Sequence, residues 1–185
     1  MSTQTPERIS PEAGQAPDVE LKLRPSKLFT IVALLAFVVG GFSALGGIGG
    51  IVYTYQQAAV ENITTPSDAV FAEVPVRGPL SMWAQSDIIT EHQLNRTEGL
   101  RYAEMDREVP QVDEAGEPIL DEAGEPVMGP NHDRLSWIDA TSLTTVLGMG
   151  IMAYALSAFA IAVGATMLAL GLVVFKLRRA TVSIV

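Results

Sequence analysis

The order of apolar and polar positions divides the chain into five stretches. A polar leader, residues 1–27, precedes an unbroken apolar block at 28–53, LFTIVALLAFVVGGFSALGGIGGIVY. A mixed, mostly polar stretch follows over 54–142. A second apolar block occupies 143–175, with VLGMGIMAYALSAFAIAVGATMLALGLVVF as its core at 146–175. Residues 176–185 close the chain. Each block exceeds the roughly 20 apolar residues that carry a helix across a bilayer core of about 30 Å. The charge-free run is longer still, 28–60 around the first block and 140–175 around the second. The core of the second block alone would make a helix about 45 Å long, so it must tilt or project beyond the lipid. The pattern predicts an all-α membrane fold. Two transmembrane helices form a hairpin, joined by a small, partly irregular outer segment with one helix and short β structure.

Within the outer segment, 54–142, the pattern changes three times. Pro66, Pro75, Gly78 and Pro79 make 56–79 mostly irregular, with room for a short strand at 69–76. A helix is expected near 81–98, capped by Ser81, with Met82, Trp83, Ile88, Ile89, His92 and Leu94 on a patchy apolar face. Gly99 ends it. Residues 113–128 then repeat an octapeptide, DEAGEPIL and DEAGEPVM. Each copy reads as a turn leading into a short extended piece, so the pair makes a small hairpin-like excursion or stays mobile. Two copies are too few for a solenoid. The leader, with Pro6, Pro11, Pro17 and Pro25, is too polar to build a core and reads as a disordered tail.

Charge gives the arrangement a direction. Lys22, Arg24 and Lys27 precede the first block, and Lys176, Arg178 and Arg179 follow the second. The outer segment has five arginines and no lysine. The positive-inside rule therefore places both tails in the cytoplasm and 54–142 outside the plasma membrane. A cleaved signal peptide is the competing reading of the first block. Its apolar core would be only about 7–15 residues long. The longer block here predicts an uncleaved signal-anchor.

Composition excludes several function classes. A mean hydropathy of +0.28 beside 18% charged residues is the mark of apolar residues gathered into blocks. The net charge of −9 lacks the basic footprint of a nucleic-acid binder. With no cysteine, there is no disulfide, thiolate metal site or cysteine nucleophile. The outer segment holds 17 of the 21 acidic residues.

Neither apolar block carries an Asp, Glu, Lys, Arg, His, Asn or Gln side chain. Ion and proton paths through membranes use such groups, so a self-contained transporter is not expected. Both blocks are instead rich in small residues. Ala36, Gly40 and Ala44 recur at spacing four, as do Gly46 and Gly50, Ala153 and Ser157, and Ala160 and Gly164. Small side chains let helix backbones approach closely in lipid. This predicts packing within the hairpin or with partner subunits. Tyr53, Tyr55 and Trp137 are the expected aromatic anchors at the outer interface.

Candidate chemistry is sparse. His92, His132 and Asp133 contain the minimum donors of a two-histidine, one-carboxylate iron site. The histidines stand 40 residues apart without a local ligand motif. Surface roles are expected of them, with no metal and no cofactor. The acidic repeat lacks a calcium-loop pattern and reads as a solvated segment. Asn62-Ile63-Thr64 and Asn95-Arg96-Thr97 match the glycosylation sequon.

The stretches MWAQSDIITEHQLNRTEGLRYAEMDRE at 82–108 and WIDATSLTTVLGMGIMAYALSAFAIAVG at 137–164 resemble a family of small actinobacterial membrane proteins. That resemblance implies two spans with an outer segment between them. Many members bear the label "aromatic ring-opening dioxygenase", which implies a relation to an extradiol dioxygenase subunit. The resemblance carries no catalytic residue onto this chain, and the DEAGEP duplication reads as an insertion between the two blocks. The expected function is a non-enzymatic accessory or structural subunit of a larger plasma-membrane complex, respiratory or envelope. Its partners would be the bilayer and other membrane subunits. The alternatives are a dioxygenase-related subunit and an extracytoplasmic module that binds cations or a partner.

Overall fold

The computed structural model describes residues 19–22, 27–177 and 181–184. Its frame is three helices. α1 runs Lys27–Val60, α2 Pro79–Arg96 and α3 His132–Leu177. α1 and α3 are each long and apolar enough to cross a membrane. They lie against each other as an antiparallel hairpin, and α2 packs on the N-terminal part of α3. At 1.5 Å per residue the two long helices measure about 51 Å and 69 Å.

Both long helices outrun the blocks that predicted them. No proline or other strong breaker lies in 54–60, so α1 continues past Tyr53 to Val60. α3 begins at His132, well before 143, because Asn131 caps it. The Asn131 side-chain oxygen accepts the Arg134 N–H at 3.1 Å, and no proline follows until the chain ends. The ends of the two long helices therefore take up 54–60 and 132–142 of the connection between the apolar blocks.

The segment before α2 folds around Thr65, which is 2% exposed. Its N–H donates to Val74 O at 3.0 Å, and its hydroxyl oxygen accepts the Val74 N–H at 3.0 Å. Val76 N–H closes onto Ile63 O at 2.9 Å. The strand expected at 69–76 is absent from the described residues. Turns occupy most of it, and a single Thr64–Pro75 bridge remains, since Pro66 and Pro75 interrupt any longer ladder.

α2 starts at Pro79, two residues ahead of expectation. Proline suits a first helical position, where an N–H has no partner. Ser81 supplies the cap from inside the helix, its hydroxyl accepting the N–H groups of Arg77 and Gly78 at 3.1 and 3.2 Å. Thr97, Glu98 and Gly99 end it, with φ of +53° at Glu98 and +86° at Gly99.

Two short strands, Glu108–Pro110 and Met128–Pro130, pair antiparallel, Glu108 with Pro130. The repeat fills the space between them as two stacked hairpins. In each copy the aspartate, Asp113 or Asp121, accepts two backbone N–H groups of its own turn through one carboxylate oxygen. Gly116 and Gly124 supply the left-handed residue at φ +84° and +82°. Three backbone bonds then close a ring. Ile119 N–H donates to Gln111 O at 2.9 Å, Val127 N–H to Ile119 O at 2.8 Å, and Gln111 N–H to Val127 O at 2.8 Å.

At the opposite end of the hairpin, a strand at Val19–Lys22 pairs antiparallel with one at Thr181–Ile184. Residues 1–18 of the leader, and Arg24, Arg178 and Arg179, which were expected to set the topology, lie outside the described residues.

Candidate functional site

The contact between α1 and α3 is a seam of small residues with a period of seven. Ala33, Gly40 and Gly47 are the buried residues of α1. Ser157, Gly164 and Gly171 are their counterparts in the span of α3. A seven-residue period keeps one face toward a partner when two helices coil left-handedly. The approach is close. A Cβ built on Gly40 would lie 2.9 Å from Gly164 O, and one on Gly164 would lie 2.5 Å from Ala44 N. One on Gly47 would lie 2.5 Å from Ser157 O, and one on Gly50 would meet the Ser157 hydroxyl. Gly171 faces Ala36 and the Phe37 ring, both at 3.3 Å. Backbone thus touches backbone, as small residues permit in lipid.

Of the residues read as packing positions, Ala36, Gly40, Ala44, Gly50, Ser157 and Gly164 come together on this seam. Ala153 and Ala160 are half-buried beside it. Gly46 stands apart, since a Cβ there would meet nothing within 4 Å, as at Gly41 and Gly49. Spacing four did not distinguish Gly46 from Gly47. The signal that does is the series Ala33, Gly40, Gly47, which is legible in the sequence once seven is tried.

Where the helices leave the seam, α2 joins them. Met82 lies against Gly150, its sulfur 2.7 Å from where a Cβ would stand. Tyr154 donates its hydroxyl to Arg77 O at 2.5 Å. The Arg77 guanidinium stands 6.0 Å from the centre of the Tyr55 ring. Tyr55, Tyr154 and Arg77 therefore form one level across the bundle, while Tyr53 is largely exposed nearby. Just above, a cavity of 220 Å³ opens among Thr54, Gln57, Glu61, Val76, Met82 and Gly150. Its walls are mostly apolar, Glu61 is the titratable side chain on its rim, and neither histidine lines it.

Trp137, expected at the outer interface, is buried within the fold. It is 6% exposed, and its indole N–H donates to Leu100 O at 3.0 Å. The Arg101 guanidinium lies 5.6 Å from its ring centre. The sequence suggested an anchor because Trp137 precedes the apolar block, but α3 begins earlier and carries it far from the tyrosine level. Around it, Gln93 donates to Ser136 Oγ at 2.6 Å, and Arg134 donates to Tyr102 O at 3.2 Å while stacked on that ring at 3.8 Å. Trp83, which no anchoring argument singled out, is 47% exposed one residue after Met82.

The metal candidates serve other ends. His92 Nε2 lies 2.7 Å from Asp68 Oδ2, pinning the loop before α2 to the helix. That hydrogen bond, helped by one from the Asp68 backbone, holds the Asp68 carboxyl below the usual carboxylate range. His132 opens α3, and Asp133 offers its carbonyl to Gln93 at 3.3 Å. Among the described residues no three histidine, aspartate or glutamate side chains gather as a metal site. In the repeat, one oxygen each of Asp113 and Asp121 is engaged by the turn it caps.

No family model matches the chain, and no curated protein or solved structure is detectably similar to it.

Proposed function

We propose that the chain is a two-span integral protein of a bacterial plasma membrane. Both tails are cytoplasmic, and it acts as a non-enzymatic accessory subunit of a larger assembly. The distance between charged levels supports the membrane reading. Lys176 ends α3 on one side, and Arg77 is fixed to Tyr154 on the other. Tyr154 to Lys176 covers about 33 Å of helix. That matches a hydrocarbon core of about 30 Å, and tyrosines stand at its outer edge. Lysine at the Lys27 and Lys176 ends supports reading that side as the cytoplasmic one.

The observation that carries the subunit reading is apolar surface beyond the lipid. Leu135, Ile138 and Leu143 are all more than 40% exposed, on the part of α3 that projects past Tyr154. On this reading they lie beyond the lipid, with Leu135 and Ile138 one turn apart and Leu143 on another face, and apolar side chains exposed there favour a protein partner. The glycine seam, in contrast, is already consumed within the hairpin. Purification from membranes in mild detergent, followed by a native gel and mass spectrometry, tests the reading. The chain is expected to migrate with other membrane proteins. A particle containing this chain alone, in every native-lipid preparation, overturns the accessory role.

A further inference from the structure

The exposed face of α3 has its own regularity. Ile138, Ser142, Thr145, Met149, Met152 and Leu156 follow at alternating steps of four and three, and all six are exposed. Leu135, three residues earlier, begins the series. This is the a/d spacing of a coiled-coil seam. The seam toward α1 is a different face, marked by Ser157, Gly164 and Gly171. Ser142 is compatible with a packed position, because its hydroxyl donates to Ile138 O at 2.7 Å and leaves no unmet donor.

Two features say what covers this face. The first is its extent. Ile138 lies about 24 Å along the helix from Tyr154, while Leu156 lies on the membrane side of it. Lipid can cover one end of the series and solvent the other, but only a helix that leaves the membrane alongside α3 can cover both. The second is charge. Arg134, its Nε held by Tyr102 O of its own chain, and Asp139 occupy the g and e positions that flank Leu135 and Ile138, five residues apart. At that offset a parallel helix of identical sequence sets the Arg134 of each copy against the Asp139 of the other. Two copies sharing one membrane topology are necessarily parallel. Nearer the membrane the flanking residues shrink to Gly148, Ala153, Ala155 and Ala160, with open space around Gly148, so the helices can close further.

We propose that α3 pairs in parallel with the α3 of a second copy through this series. The resulting two-helix stalk runs from the outer segment into the membrane. The proposal rests on the two-span reading above and adds the identity of one partner.

The absence of native cysteine makes the test direct. Single-cysteine variants at Ile138, Ser142, Met149 and Met152 are oxidised in isolated native membranes. Covalent dimers are expected at all four. Phe42→Cys and Leu45→Cys, on the exposed face of α1, are expected to give none. Asp139→Arg should lower the Ser142→Cys dimer several-fold, and adding Arg134→Asp should restore it. Equal dimer at Phe42, no dimer along α3, or cross-links from α3 to a different protein would each overturn the proposal. Carbonate washing of the same membranes separates the two readings. Retention without α3 cross-links removes the dimer alone, and release of the chain removes the membrane reading together with it. A dimer that co-purifies with nothing else keeps this proposal and removes the accessory role.

Discussion

Gly40 and Gly164 meet backbone to backbone, so that a Cβ on the first would stand 2.9 Å from the carbonyl oxygen of the second. No side chain larger than hydrogen fits there without moving a helix. Gly40→Leu should therefore destabilise the hairpin by at least the cost of overpacking, about 1–3 kcal/mol. Gly47→Leu should behave likewise, since its Cβ would lie 2.5 Å from Ser157 O. Gly46→Leu should change little, and Gly46→Ala should gain up to about 1 kcal/mol by removing a flexible residue from a helix. Reversible unfolding in mixed micelles, followed by helical circular dichroism, measures all four. Equal losses at Gly46 and Gly47 would refute the seam.

This contrast also shows where the sequence was legible. The two apolar blocks announce long helices because length and hydropathy alone decide that property. They do not announce ends, because the residues that continue α1 through Gln56 and Gln57, or start α3 at His132, are polar yet good enough helix formers. The seam was half legible. Small residues were visible, but Gly46 and Gly47 differ only in which way a helix turns, and that depends on the seven-residue coil of the pair. The burial of Trp137 was hidden for the same reason as the helix start. Its environment is set by Leu100 and Arg101, far away in sequence.

The two tryptophans stand in opposite surroundings, and fluorescence can separate them. Trp83 is half-exposed at the level of Gly150, near the outer edge of the membrane on the reading proposed here. Trp137 is buried against Leu100, about 26 Å farther along α3 than Tyr154. In brominated lipid, the Trp137→Phe variant, which retains Trp83, should be strongly quenched. The Trp83→Phe variant, which retains Trp137, should not. The reverse order would move the membrane boundary and with it the topology.

Asp68 gives the outer segment an acid-sensitive tie. Its carboxyl is held below the usual carboxylate range, chiefly by His92. A folded-state value below the unfolded one means that the tie stabilises at pH above the ordinary carboxylate value. The contribution is lost as pH falls through the lowered folded value. Carbon-13 NMR of the Asp68 carboxyl in micelles should show this low midpoint, and His92→Ala should return it toward that of an unstructured peptide. Asp68→Asn should remove the acid step from the hydrogen-exchange protection of the Thr65 amide. An Asp68 midpoint that ignores the His92 substitution would dismiss the tie.

The repeat makes the last prediction, because its two copies are mutually dependent. Gln111, Ile119 and Val127 stand eight residues apart, and each donates an N–H to one of the others while accepting from the third. A ring of three requires both turns, which accounts physically for two copies. Deleting 113–120 leaves one hairpin and removes Ile119, and with it two of the three bonds of the ring; the Gln111 N–H to Val127 O bond keeps both its ends. Amide exchange at Val127, whose acceptor Ile119 O is removed, should then rise toward that of open chain, although the remaining turn keeps its aspartate cap and its glycine. Gly124→Val should act more mildly. A β-branched residue forced to φ +82° costs on the order of 1–3 kcal/mol at the turn and loosens the ring without abolishing it. If protection at Val127 survives the deletion unchanged, the copies fold independently and the ring is not what holds them.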